Sequence, residues 1–383
     1  MSSQDFVRRL PETGHGLRRR DRLQQRLHLD FVLLLLLLLV TGYGLVVLYS
    51  ASGQSLGTVQ RQAGYFVLAY LAMLVAAQVP PQMLCRLAPW IYVGGIALLV
   101  LVLLLGIGAK GAQRWLGIGG IRFQPSEMMK LAMPIAVAAY LGRQMLPPTL
   151  KVVLVTLLLI ALPAVLIIRQ PDLGTALLIS ASGLSVLFFA GLAWRYIIAV
   201  LVLALVSVWP LWRFVLHDYQ QQRILTLLNP AADALGSGWN IIQSKTAIGS
   251  GGYYGKGWTQ GTQSQLDFLP EGHTDFIIAV LAEEFGFLGV MMLLALYSLI
   301  LLRGFMIALR AQDNFSRLLA ASITFVLFVY IFVNAGMVAG MLPVVGVPLP
   351  LVSQGGTAIV TLMTGFGLLM AIATERRRVT RQE

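Results

Sequence analysis

Asp275 ends a polar loop, Leu266 to Asp275, that also carries Asp267, Glu271 and His273, and it opens an apolar segment running to residue 302. Ionisable groups are costly in hydrocarbon, so an acid at the mouth of a membrane span marks a candidate functional site. Projected at about 100° per residue, Ala279, Ala282, Gly286 and Gly289 share the face of Asp275 and form a small-residue stripe that admits a close neighbouring helix. A structural role, capping of the helix that follows, is open to Asp275 and equally to Thr274. Glu283 and Glu284 lie further in and, as neighbours, point about 100° apart, so they do not share one pocket.

A second constellation is Lys110 to Lys130, KGAQRWLGIGGIRFQPSEMMK. Pro125 suits a first helical turn, after which Glu127 and Lys130 fall at i and i+3 on one face and pair, which marks a polar cavity in place of a lipid face. Arg114 and Arg122 flank that cavity with guanidinium geometry suited to phosphate oxygens. Arg169 and Asp172 sit in IIRQPDLGT, a tight turn that Pro171 and Gly174 alone would justify. Asn334 and LPVVGVPLPLVSQGGT interrupt the last pair of apolar segments, as broken backbone does where it lines protein or a cavity. Several other chemistries lack support. SGGYYGKG misses the first glycine and the final Ser or Thr of a phosphate-binding loop. The four histidines, His15, His28, His217 and His273, show no metal-ligand spacing, and no nucleophile elbow is present. Cys85 is the only cysteine, which excludes an intramolecular disulfide and a cysteine-based zinc site.

The elements that must position these groups are membrane helices. The 383 residues are 57% hydrophobic and 11% charged, and apolar runs reach the length of a span. Uninterrupted runs such as Phe31 to Val40 exclude alternating barrel strands, so the class is all-α and polytopic. About ten spans are expected, near 29–50, 62–79, 89–108, 125–142, 152–168, 173–191, 196–215, 275–302, 317–340 and 351–373. They occupy a transmembrane domain over 28–375, between basic tails at 1–27 and 376–383. An even count and two basic tails place both termini in the cytoplasm. The net charge of +12 follows from this topology, so no nucleic acid is expected. Arg61, Lys110, Arg114, Arg122, Arg169, Arg223, Lys245 and Lys256 then face outward against the usual bias, as anionic substrate groups would require. The loop 216–274, between helices 7 and 8, is long enough to be functional; with its amphipathic stretch Tyr219 to Leu228 it reads as a cap along the outer membrane surface.

KGAQRWL with RFQPSE, QPDLGT, GTQSQLDFLPEGHTDF with AEE, and PVVGVPLPLVS with GG resemble, in order and over all the spans, the signatures of the SEDS family (shape, elongation, division and sporulation), and its rod-shape branch more than its division branch. The resemblance implies a peptidoglycan glycosyltransferase that polymerises lipid II outside the cytoplasmic membrane, with a lipid II flippase as the alternative. It implies Asp275 as the catalytic residue, acting as general base toward the acceptor hydroxyl. For the substrate it implies Arg114, Trp115, Arg122, Gln124, Glu127, Lys130, Asp172, Lys245, Glu271 and His273, with the cations opposite a pyrophosphate. It further implies a divalent cation, Mg2+ or Mn2+, whose ligands it does not choose, and a class B penicillin-binding protein as transpeptidase partner. Asp267 stands where relatives often carry Glu, and Gln354 where an aromatic residue is common.

Overall fold

A computed structural model describes residues 28–375, except 110–111, 119–120, 211, 214–220, 222–224, 228, 231–236, 267 and 270. Each expected apolar segment holds a helix: α1 (Phe31–Ala51), α2 (Leu56–Ala77), α3 (Pro81–Leu105), α4 (Pro125–Leu141), α5 (Leu150–Ile168), α6 (Leu173–Phe189), α7 (Trp194–Pro210), then α10 (Ile277–Arg310), α11 (Asn314–Val338) and α12 (Thr357–Thr374). The long loop adds α8 (Ser237–Gly251) and α9 (Thr262–Gln265). Six of these helices, α1, α3, α5, α10, α11 and α12, have the length and hydropathy to cross a membrane. The chain is thus an integral membrane protein, with an apolar core continuous through the bundle.

Local chemistry sets the helix ends. Pro81 and Pro125 open α3 and α4, where a missing N–H costs nothing. Asp30 caps α1 by accepting from the Leu33 amide and also holds Arg303 of α10 at 2.5 Å. His28 meets the Thr374 hydroxyl at 3.2 Å, so the two ends of the described chain lie on one face of the bundle.

The all-α class holds, with one small addition. Between α3 and α4 the backbone forms a small antiparallel meander, β1 (Ile107–Ala109), β2 (Ala112–Ile118) and β3 (Ile121–Phe123), in the order β1-β2-β3. The strands are separated by Lys110-Gly111 and Gly119-Gly120, dipeptides of hairpin composition. Open strand edges are excluded only within the hydrocarbon layer; a short connection outside it has water for its edges.

Within the long loop α8 packs along α10, while most of Tyr219 to Leu228 falls outside the described residues. The helix α10 is not continuous. It breaks at Gly286 (φ 65°, ψ −162°), a backbone conformation suited to glycine. The groups freed by the break are taken up by the glycine-rich turn after α8. Lys256 and Gly257 amides donate to the Glu283 and Glu284 carbonyls at 2.9 and 3.0 Å, and Phe287 and Leu288 amides donate to the Gly252 and Tyr253 carbonyls at 3.0 and 3.2 Å. Membrane-depth backbone requires such replacement partners. The approach is too close for side chains: a Cβ on Gly251 would stand 1.9 Å from the Ala282 carbonyl oxygen, and one on Gly255 2.1 Å from that of Glu284.

The segment expected as a span from 351 becomes helical only at Thr357. Residues 343–356 instead form an irregular strap, because Pro348 and Pro350 carry no N–H for a helical ladder. Val347, Leu349, Leu351, Val352 and Ser353 of this strap are buried. Protein groups satisfy it: Gln62 donates to the Ser353 carbonyl at 3.2 Å and accepts from the Gly355 amide at 3.3 Å, and Tyr297 donates to the Pro350 carbonyl.

Candidate active site

Asp275 sits in the turn 271–276, which precedes α10. The amides of Thr274 and Phe276 donate to the Glu271 carbonyl at 3.1 and 3.2 Å, and the Thr274 hydroxyl donates to the Glu271 carboxylate at 2.8 Å. The N-cap of α10 is Phe276, which makes no side-chain cap. Asp275 is therefore outside the helix, so its projection onto the small-residue stripe fails, and the stripe serves another contact. Ala282 and Gly286 meet the glycine-rich turn, and Gly289 faces Tyr43 of α1.

The half-buried Asp275 lines a pocket of about 410 Å³ together with Asn240, Glu271, Gly346, Pro348 and Gln354. One wall is the 271–276 turn and the other is the strap. Ser353 donates to the Thr274 carbonyl, the Gln354 amide donates to the His273 carbonyl at 3.0 Å, and Asn334 donates to the Asp275 carbonyl at 2.8 Å. Gly346, at φ 78°, brings backbone close to the acid: a Cβ there would lie 3.4 Å from Asp275 Oδ2. His273 faces a neighbouring pocket of about 390 Å³ with Ser52, Thr58 and Ser264, and Gln354 borders both.

Glu127 and Lys130 pair at 2.6 Å, as the i, i+3 spacing implied. The ammonium also stands 5.2 Å from the Tyr330 ring centre. Pair and ring line an inner cavity of about 70 Å³ whose far wall includes Pro348 and Ser353, so Pro348 borders both this cavity and the Asp275 pocket. Gln124 reaches Asp172 at 3.4 Å, and Asp172 caps α6 by accepting from the Thr175 amide at 3.2 Å. The β3–α4 junction and the 169–172 turn thus form one polar layer beside the pair. Trp115 is half-buried on β2. Arg114 and Arg122 have their backbones in β2 and β3, and their side chains fall outside the described residues, as does Asp267. Lys245 is exposed on α8 beside Gly340 and is not among the groups lining the Asp275 pocket.

Glu283 and Glu284 diverge as their adjacency requires. Glu283 is fully buried and receives Lys256 at 2.8 Å, the Thr262 hydroxyl at 3.1 Å, and the amides of Gln263 and Ser264 at 3.0 and 3.2 Å. It closes α9 onto α10. Glu284 accepts from Ser50 of α1 at 2.5 Å. Sequence reasoning missed Lys256 as the partner of Glu283, and also Asn240, Gln62 and Ser353; no spacing rule links such distant positions. Among the described residues no three His, Cys, Asp or Glu converge as an ion cage. The carboxylates of Glu271 and Asp275 nevertheless line one pocket, and Mg2+ is usually held by one or two carboxylates plus substrate phosphates.

The family model described as cell cycle protein, covering FtsW, RodA and SpoVE, matches residues 30–378. The chain is 52% identical over 356 residues to peptidoglycan glycosyltransferase MrdB of Escherichia coli, covering 93% of this chain and 96% of that protein. It is 37% identical over 364 residues to a probable peptidoglycan glycosyltransferase FtsW of Geobacter metallireducens, covering 91% and 95%. Among solved structures, a chain from a peptidoglycan synthase complex, described as coordinating polymerization and crosslinking, superposes with a TM-score of 0.80 at 31% identity, covering 91% of this chain and 98% of that one. The rod shape determining protein RodA of Thermus thermophilus gives 0.69 at 30% identity, with the same coverage.

Proposed function

The chain belongs to the cell cycle protein family of FtsW, RodA and SpoVE and is a peptidoglycan glycosyltransferase, and from that premise we propose that Asp275 is the general base of lipid II polymerisation. The naming of the relatives for glycosyl transfer sets the flippase alternative aside. In this reading the bundle spans the cytoplasmic membrane ten times, both termini are cytoplasmic, and the Asp275 pocket opens outward. The observation that carries the assignment is the position of Asp275: it lies in the turn ahead of α10, outside the helix that begins at Ile277, and lines a pocket.

Asp275 takes the proton of the acceptor sugar's 4-hydroxyl as the oxygen attacks the donor anomeric carbon. The bond to undecaprenyl pyrophosphate breaks with inversion, and a β-1,4 linkage forms. An ordinary carboxylate is a weak base for a hydroxyl, so positioning and stabilisation of the leaving group must supply much of the rate. Lys130, Arg114, Arg122 and Lys245 are the candidate cations for that pyrophosphate, and Glu127 holds Lys130 in place at 2.6 Å. Trp115, Gln124, Asp172 and His273 belong to the substrate cleft around them. A divalent cation, Mg2+ or Mn2+, would be held by Glu271, the second carboxylate of the pocket, and would supply charge neutralisation to the pyrophosphate. A class B penicillin-binding protein of the elongation type is the transpeptidase partner.

The test is direct. The protein purified with that partner, given lipid II and Mg2+, forms glycan strands, and Asp275→Ala does not; strands formed by the variant would overturn the assignment.

A further inference from the structure

We infer that Asn334 is a positioning residue for catalysis, whose amide nitrogen fixes Asp275 by clamping together the two walls of its pocket. The inference rests on the assignment of Asp275 as base. Asn334 lies in α11 and is fully buried. Its Nδ2 donates to the Asp275 carbonyl at 2.8 Å and to the Val347 carbonyl at 2.7 Å. Both partners only accept, so chemistry fixes the orientation of the amide. One carbonyl belongs to the turn that carries the acid and the other to the strap that faces it, so one NH2 group ties both walls to a rigid helix. The walls depend on such ties, because neither the turn nor the strap has a regular backbone ladder to hold it.

The other half of the amide argues the same way. Asn334 Oδ1 is buried and has no hydrogen-bond partner among the described residues. A buried acceptor left unpaired costs stability, and an apolar side chain of similar size would avoid that cost. What asparagine offers at this position is the pair of donors on its nitrogen. Gly346 and Pro348, on the strap next to Val347, line the pocket with Asp275. Loss of the clamp would therefore move the carboxylate relative to the substrate contacts of the opposite wall.

The experiment compares wild type, Asn334→Leu and Asn334→Asp as full chains with the transpeptidase partner, measuring polymerisation rate against lipid II concentration, melting temperature and pH profile. Asn334→Leu keeps its fold and its KM within about twofold while kcat falls roughly 100-fold, the scale of a misplaced catalytic group. Asn334→Asp supplies the readout that mere stability would not move. Its neutral carboxyl retains one O–H donor, whereas its ionised form has none and faces two carbonyl oxygens. The ratio of its kcat to that of wild type therefore falls as pH rises. Wild-type kcat in a folded Asn334→Leu, or a pH-independent ratio for Asn334→Asp, would overturn the inference. Should Asn334→Leu not fold, the ratio decides alone. Asp275→Ala run alongside separates the two claims: activity there removes the base assignment, while its inactivity beside a fully active Asn334→Leu removes only the clamp.

Discussion

Lys256→Met tests whether the loop leading to Asp275 is held by a buried charge. The wild-type ammonium stands 2.8 Å from a Glu283 carboxylate with no solvent exposure, while the lysine side chain itself is 27% exposed. Removing one partner of a buried pair costs about 3–5 kcal/mol, because the other charge stays behind without compensation. Two features of the site place this case at the low end. The lysine gives up part of its own hydration only, and Glu283 keeps the Thr262 hydroxyl and the amides of Gln263 and Ser264. A loss of about 3 kcal/mol then lowers the melting temperature of a chain of this length by about 4 °C. Tryptophan fluorescence of the detergent-solubilised protein during heating reads it. Added salt leaves the wild-type value almost unmoved, since buried pairs are screened little. A Lys256→Met variant that melts within about 1 °C of wild type would refute the reasoning, because it would make Glu283 a carboxylate carried by its amide donors alone.

Two further outcomes follow from the same geometry. Gly251→Ala ought to favour α8 by up to about 1 kcal/mol on helix propensity. The added carbon would meet the Ala282 carbonyl oxygen at 1.9 Å, and overpacking costs typically about 1–3 kcal/mol or more, so the melting temperature falls; a rise would mean that α8 does not seat on the break in α10. Glu271→Gln keeps the size of the side chain but removes its charge from the Asp275 pocket. The Mg2+ concentration for half-maximal polymerisation then rises about 10-fold or more, and an unchanged requirement would place the cation elsewhere.

The membrane helices were legible because hydropathy runs of span length leave few alternatives. Lys130 and Glu127 were legible as a pair because Pro125 fixes where α4 begins and the spacing then fixes the face. Glu283 with Lys256 was not legible: 27 positions separate them, and the turn that joins them exists only because α10 breaks at Gly286, a glycine that read as one more small residue in a stripe. The same break explains why the glycine-rich run packs into the bundle. The strap was visible as proline and glycine punctuation, but its depth depends on Gln62, Tyr297 and Asn334, each on a different helix. The meander escaped because the reasoning that excludes strands holds only within hydrocarbon.

The central claim is that the Asp275 carboxylate, and no other group of the pocket, activates the acceptor hydroxyl. Its most direct test is the polymerisation rate of Asp275→Asn, which preserves the size and shape of the side chain while removing the base, measured with the transpeptidase partner at saturating lipid II and Mg2+. A fall of roughly 100-fold or more, the scale of a lost general base, with lipid II binding within about twofold of wild type, is the predicted result. A rate equal to that of wild type would contradict it.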